Sequence, residues 1–189
     1  MKPVRKKIFI YITTIITIIA SIMVLYNQKY IVHENNTNPN ISAVNPDINQ
    51  KYVYIYFTDE ESEYLKAEKR RILFNTDSAQ YAKALMKILL NGPKNKKLFS
   101  PIPEKTKLIS LYLKHNNTVV VDFSEEIKDN HPGGSQAEIL TIYSIVDTLT
   151  LNIKKIKRVQ ILINGKEADT LAGHIALNFP LKENLDLIQ

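Results

Sequence analysis

Leu108 to Thr150 reads LISLYLKHNNTVVVDFSEEIKDNHPGGSQAEILTIYSIVDTLT, and it carries both of the periodicities that a mixed fold needs. Leu108 to Lys114 and Thr118 to Phe123 are rich in β-branched and large apolar residues. Between them stand His115, Asn116 and Asn117, and asparagine tolerates the positive φ of a tight turn, so the spacing predicts a β-hairpin. The period then changes. Ser135 and Glu138 have the spacing of a capping box, in which the serine takes the amide three residues on and the glutamate reaches back to the cap. Ile139, Ile142, Tyr143, Val146 and Leu149 fall on one stripe of the helix that would follow.

The same two signals recur on either side. Upstream, KYVYIYF from Lys51 to Phe57 alternates three tyrosines against Val53, Ile55 and Phe57, the pattern of a strand with two unlike faces. Tyr64 to Phe74 reads as a second, weaker strand. Over Asp77 to Gly92 the residues Tyr81, Leu85, Ile88 and Leu89 take helical spacing, with Asp77 or Ser78 as the cap and Gly92-Pro93 as the stop. Downstream, Arg158 to Ile163 is a short strand, Asn164-Gly165 a turn, and the stretch from Gly173-His174 to Phe179-Pro180 a last extended segment. The order strand, helix, hairpin, helix, strand predicts an α+β domain: one antiparallel-rich sheet covered by two helices. No segment repeats another.

The N-terminus has a different character. Ile8 to Tyr26, IFIYITTIITIIASIMVLY, is nineteen residues without a charge. As a helix it would reach roughly 28 Å, close to the thickness of a bilayer's hydrocarbon core. Lys2, Arg5, Lys6 and Lys7 precede it and Lys29 alone follows closely, so residues 1–26 are expected to be a cytoplasmic basic stub and a transmembrane anchor, with the rest exported. No small-x-small site ends the apolar run, which favours a retained anchor over a cleaved signal. Residues 27–50, rich in asparagine and containing Pro39 and Pro46, read as a tether; residues 51–189 are long enough for one domain with its own core. The chain has no cysteine, which excludes both a lipidated cysteine and a disulfide framework. Half of the net charge of +6 lies before Lys51: from there onward 20 Lys and Arg face 17 Asp and Glu. That balance, in an exported domain, argues against nucleic acid as a partner.

Taken in order, the opening strand into Phe57-Thr58-Asp59, Leu89-Leu90-Asn91-Gly92-Pro93, Ile102-Pro103 with Thr106, Val121-Asp122-Phe123-Ser124, Gly133-Gly134-Ser135 with Glu138, Asp147-Thr148-Leu149-Thr150, and Val159 to Gly165 followed by Gly173-His174 resemble the GerM domain family of sporulation and spore germination proteins. The resemblance spans nearly the whole of residues 51–189. It implies a topology similar to the ring-building domains of secretion systems, a role in assemblies between two membranes, and no established enzymatic activity. The best-known members are lipoproteins with two copies of the domain, whereas this chain has one copy and an apolar N-terminal segment. The portable expectation is an anchored envelope module that binds envelope proteins or copies of itself.

The residues that could carry chemistry are few. Ser124 with Asp122 or Glu138 and with His131 or His174 has the composition of a nucleophile, base and acid set, but no strained G-x-S-x-G elbow accompanies it, and no catalytic residue is expected. The histidines at 33, 115, 131 and 174 are too scattered for a metal site: His115 reads as a turn residue and His174 as a structural hydrogen-bonding group. Gly133-Gly134-Ser135 lacks the lysine of a phosphate loop, so no cofactor is expected. Asp122 and Ser124 are better suited to closing turns. Two basic clusters, Lys94-Lys96-Lys97 and Lys154-Lys155-Lys157-Arg158, are expected to be solvated surface. In a functional role, they and the exposed tyrosines would meet cell-wall glycan, anionic headgroups or an acidic partner. The three function classes are thus an interaction module, a glycan-binding module and a hydrolase, in that order.

Overall fold

The computed structural model describes residues 20–23, which are helical, and residues 50–189. The rest of the apolar span Ile8 to Tyr26 and residues 27–49 lie outside the described residues. Among the described residues no helix is long and apolar enough to cross a membrane. From Gln50 on, the chain belongs to one compact unit, Pro46–Gln189.

Strand β1 (Gln50–Thr58) pairs antiparallel with β2 (Leu65–Leu73), with Tyr54 opposite Lys69 and Gln50 opposite Leu73. Val53, Ile55 and Phe57 turn into the main core, as the alternation requires. Helix α1 (Ser78–Leu90) starts at Asp77, whose carboxylate accepts the Ala79 and Gln80 amides, and it buries Tyr81, Ala82, Leu85, Met86 and Leu89. Replacing Asp77 by Ala is expected to lower stability by about 1 kcal/mol in a urea titration, because two N-terminal amides lose their acceptor.

Strands β3 (Leu108–Lys114) and β4 (Thr118–Phe123) form the expected hairpin. Its turn holds Asn116 at φ 60° and Asn117 at φ 56°, the left-handed conformations that asparagine supplies. A short helix α2 (Glu126–Asp129) and the long helix α3 (Ser135–Asn152) then carry the chain across to β5 (Arg158–Ile163), which lies parallel to β4. After the Asn164-Gly165 turn, β6 (Lys166–Glu167) adds a short antiparallel edge.

The described domain is therefore α+β and antiparallel-rich, but it has two sheets rather than one: β1-β2, and the mixed β3-β4-β5-β6. The mixed pair has a physical reason. Every residue of β4 is buried, Thr118 and Asp122 included, and a strand covered on both faces at the centre of a sheet suits a parallel neighbour reached through a helix.

Helix α3 departs furthest from the sequence reading. The stripe from Ile139 to Leu149 predicts one buried face, yet eleven of its 18 residues are buried, among them Glu138, Thr141, Ser144, Asp147, Thr148 and Thr150. A helix packed against β1, α1 and β5 at once has little solvent face. Its polar residues are bonded to backbone instead: Thr141 donates to Pro101 O at 2.6 Å, Ser144 to Thr141 O at 2.8 Å and Thr150 to Val146 O at 2.8 Å. On the side facing β1, Thr148 Oγ1 accepts the Tyr56 amide, and Asn152 both accepts the Tyr54 amide and donates to the Tyr54 carbonyl. Helix side chains thus occupy the edge of β1 that β2 leaves open, one of the ways a sheet edge is protected.

Candidate functional site

The described domain has two fully buried carboxylates, Glu138 and Asp147, both on α3, and together they hold the C-terminal segment. Glu138 does not complete a capping box. The N-cap is Gly134, at φ 85° and with no side-chain cap bond, and its carbonyl accepts the Glu138 amide at 3.0 Å. The Glu138 carboxylate points inward. Oε1 accepts the Leu171 and Ala172 amides at 2.9 and 2.8 Å, and Oε2 accepts the His174 amide at 2.9 Å and faces its Nδ1 at 3.0 Å. Several bonds from the chain's own loop outweigh the one bond of a capping box. Burial alone would raise the Glu138 pKa; the amides of Ala172, His174 and Ile175 and the His174 ring reverse this and hold it below the ordinary glutamate value.

Two turns further along, Asp147 Oδ1 accepts the Asn184 amide at 3.0 Å, while Oδ2 has no hydrogen-bond partner among the described residues. Burial is the main reason that its pKa is pushed up to about 7, with Glu183 adding repulsion and the Asn184 amide opposing. Around it lie Tyr56 and Tyr143, whose hydroxyls are pushed up first by burial and then by the field of Asp147. Asp147-Thr148-Leu149-Thr150 is one of the family-like segments, but no local pattern marks Asp147 as a buried acid. It sits in the stretch DTLT and reads as a helix residue until the packing is known.

The other polar residues are committed to turns. Asp122 Oδ1 accepts the Gly165 amide at 2.8 Å and so fixes the β5–β6 turn. Ser124 Oγ accepts the Lys107 amide at 3.0 Å, and its hydroxyl is the main reason that Glu126 titrates below its usual range. His131 Nδ1 accepts the Gly133 amide at 3.0 Å, which places its proton on Nε2, 3.2 Å from Thr141 Oγ1; burial chiefly lowers its pKa. His115 lies in the β3–β4 turn. The structure thus separates the serine from the histidines in hydrogen-bonding terms: Ser124 bonds the Lys107 and Glu126 side, His131 bonds Thr141, and His174 bonds Glu138. Among the described residues no group of three His, Asp or Glu is placed to hold a metal. Lys94, Lys96, Lys97, Lys154, Lys155 and Lys157 are all exposed.

The exposed apolar side chains form the rest of the surface chemistry. Strand β3 ends its sheet with one edge unpaired by any described strand, and Ile109, Tyr112 and Leu113 on it are 52%, 43% and 40% exposed. By contrast β2, the other long edge, carries Lys66, Lys69, Arg70 and Arg71, the charged residues that discourage strand addition.

The family model Germane, described as sporulation and spore germination, matches residues 54–169. No curated protein matches the chain. Among solved structures, a candidate lipoprotein from Clostridium perfringens is 25% identical at a TM-score of 0.51, over 70% of this chain and 86% of that one. The tandem GerMN domains of the sporulation protein GerM from Bacillus subtilis are 20% identical at 0.51, over 72% of this chain and 46% of that one. The first of those domains alone is 20% identical at 0.50, over 71% and 96%. The two GerM structures share the fold, and their coverage corresponds to one domain here against two in tandem.

Proposed function

Because this chain belongs to the Germane family of sporulation and spore germination, we propose that it is a membrane-held envelope module whose single domain recognises proteins, copies of itself included. The apolar run Ile8 to Tyr26 and the basic residues before it supply the anchor, and the likeness to a candidate lipoprotein fits a membrane-associated place. The observation that carries the recognition half is the β3 edge. Its unpaired backbone offers hydrogen bonds to an added strand, and Ile109, Tyr112 and Leu113 offer apolar surface beside it. The buried carboxylates act on structure and not on a substrate: Glu138 and Asp147 fasten the C-terminal segment from within.

The absence of cysteine makes the test clean. With Tyr112→Cys as the sole thiol, mild oxidation of membranes containing the full chain is expected to give disulfide-linked dimers. Adding Ile109→Lys and Leu113→Lys should reduce them about tenfold or more, since each buried apolar contact replaced by a charge costs well over 1 kcal/mol. A chain that stays monomeric on oxidation, and captures no envelope protein through the same thiol, does not use this edge.

A further inference from the structure

The outer face of the β1–β2 hairpin combines exposed aromatic and basic side chains. Residues paired across the two strands share a face, so Gln50, Tyr52 and Tyr54 of β1 stand beside Leu73, Arg71 and Lys69 of β2. All six are exposed, with Tyr52 at 56%, Tyr54 at 46% and Leu73 at 71%. The Lys69 ammonium lies 3.9 Å from the centre of the Tyr52 ring. At the open end of the hairpin Phe74, itself 45% exposed, packs edge-on against Tyr81 with Lys51 5.6 Å from its ring. Further along, the face closes: Tyr56 and Leu65 are buried with Leu140 and the residues near Leu187 and Ile188.

No acidic residue lies on this face between Gln50 and Thr58 or between Leu65 and Leu73; Glu68 projects from the opposite side, where it holds Arg70 at 2.7 Å. The acids are gathered instead in the connecting loop, Asp59, Glu60, Glu61 and Glu63. The hairpin is therefore polar along its length, with apolar, aromatic and basic groups at the end where the chain enters and four carboxylates at the far end.

We propose that this open end and face of the hairpin dock onto the anionic surface of the membrane in which the chain is held. Tyrosine and phenylalanine rings with long basic side chains are the groups that settle at a headgroup boundary, where the rings and methylene stems enter the apolar layer and the charges remain among phosphates. The carboxylate loop, repelled by the same surface, points away from it. The reach is adequate: 23 residues separate Tyr26 from Gln50, and a flexible chain of that length spans about 25–30 Å. Docking this face leaves the β3 edge, on the other sheet, to meet a partner. The inference rests on the anchored reading given above.

The test places a spin label on the full chain, through Tyr54→Cys or, at the far loop, Glu61→Cys, in vesicles with or without phosphatidylglycerol. In anionic vesicles the label at 54 is expected to be shielded severalfold from a water-soluble relaxation agent, and the label at 61 to be fully accessible. Lys69→Glu with Arg71→Glu should reduce the shielded population about 25-fold or more, at about fivefold per charge lost, and raised salt should reduce it too. Equal accessibility at 54 and 61, shielding that survives the charge reversal, or shielding that requires added cell wall instead of anionic lipid overturns the proposal. An alkaline wash of the same vesicles reports the anchor separately: a chain washed off defeats the anchored reading and this inference with it, whereas a retained chain with a water-exposed label at 54 defeats only the docking.

Discussion

Replacing Glu138 by Ala is expected to lower the stability of the folded domain by about 3 kcal/mol, measured by chemical denaturation of the Pro46–Gln189 unit at neutral pH. The reason is the number of donors it serves. The amides of Leu171, Ala172 and His174 and the His174 ring converge on one carboxylate with no exposed surface of its own, and all would lose their acceptor together. Glu138→Gln should lose about half as much, since Oε1 keeps two amides while the new NH2 group opposes the donors on the other oxygen. Because hydrogen bonds hold the folded-state pKa below the unfolded value near 4.5, Glu138 stabilises the fold above that pH, and the contribution disappears as pH falls through the folded value. The glutamine variant should therefore show a shallower acid limb than the wild type. A loss below 1 kcal/mol in Glu138→Ala would mean that the loop from Leu171 to His174 is held by other contacts.

The contrast between what the sequence announces and what it hides follows from the range of the interactions. β1, α1 and the β3–β4 hairpin are written in local pattern: alternation in YVYIYF, the Asp77 cap, and two asparagines at positive φ. Helix α3 is legible as a helix for the same reason, although its cap is not. Ser135 and Glu138 satisfy the capping pattern letter by letter, and a pattern of four residues cannot register three amides that arrive from residues 171–174. The division into two sheets was hidden likewise, because it depends on β5 lying beside β4 instead of beside β1, a choice made by the packing of α3. The turn roles of Asp122 and Ser124 were readable, since both residue types favour side-chain to backbone bonds next to a strand end. The patch on the outer hairpin was visible only in part. The tyrosine alternation gives one strand of it, but the basic residues that complete the face come from β2, whose register no local rule supplies.

Asp147 should behave in the opposite way to Glu138, and Asp147→Asn is expected to stabilise the domain at pH 8 by about 1–3 kcal/mol, or about 3–10 °C in Tm. An aspartate buried with one oxygen unpartnered among the described residues is more stable neutral than charged. Its folded pKa, pushed up from 3.8 to about 7, lies above the unfolded one, so the folded state binds the extra proton between those values. Stability from this group is then greatest below pH 4 and is lost progressively up to about pH 7, with an upper limit of about 4 kcal/mol for a three-unit shift. Asparagine keeps the acceptor for the Asn184 amide and carries no charge at any pH. Wild type and variant should therefore be nearly equal at pH 4, diverge up to about pH 7 and keep a constant difference above it, a signature that no general packing effect would produce. A variant that is less stable by the same amount across that range would show instead that Asp147 is ionised and paired in solution. One helix thus holds two buried acids, one held in its charged form by the amides it accepts and one pushed toward its neutral form by burial, and each fastens a different part of the same C-terminal segment.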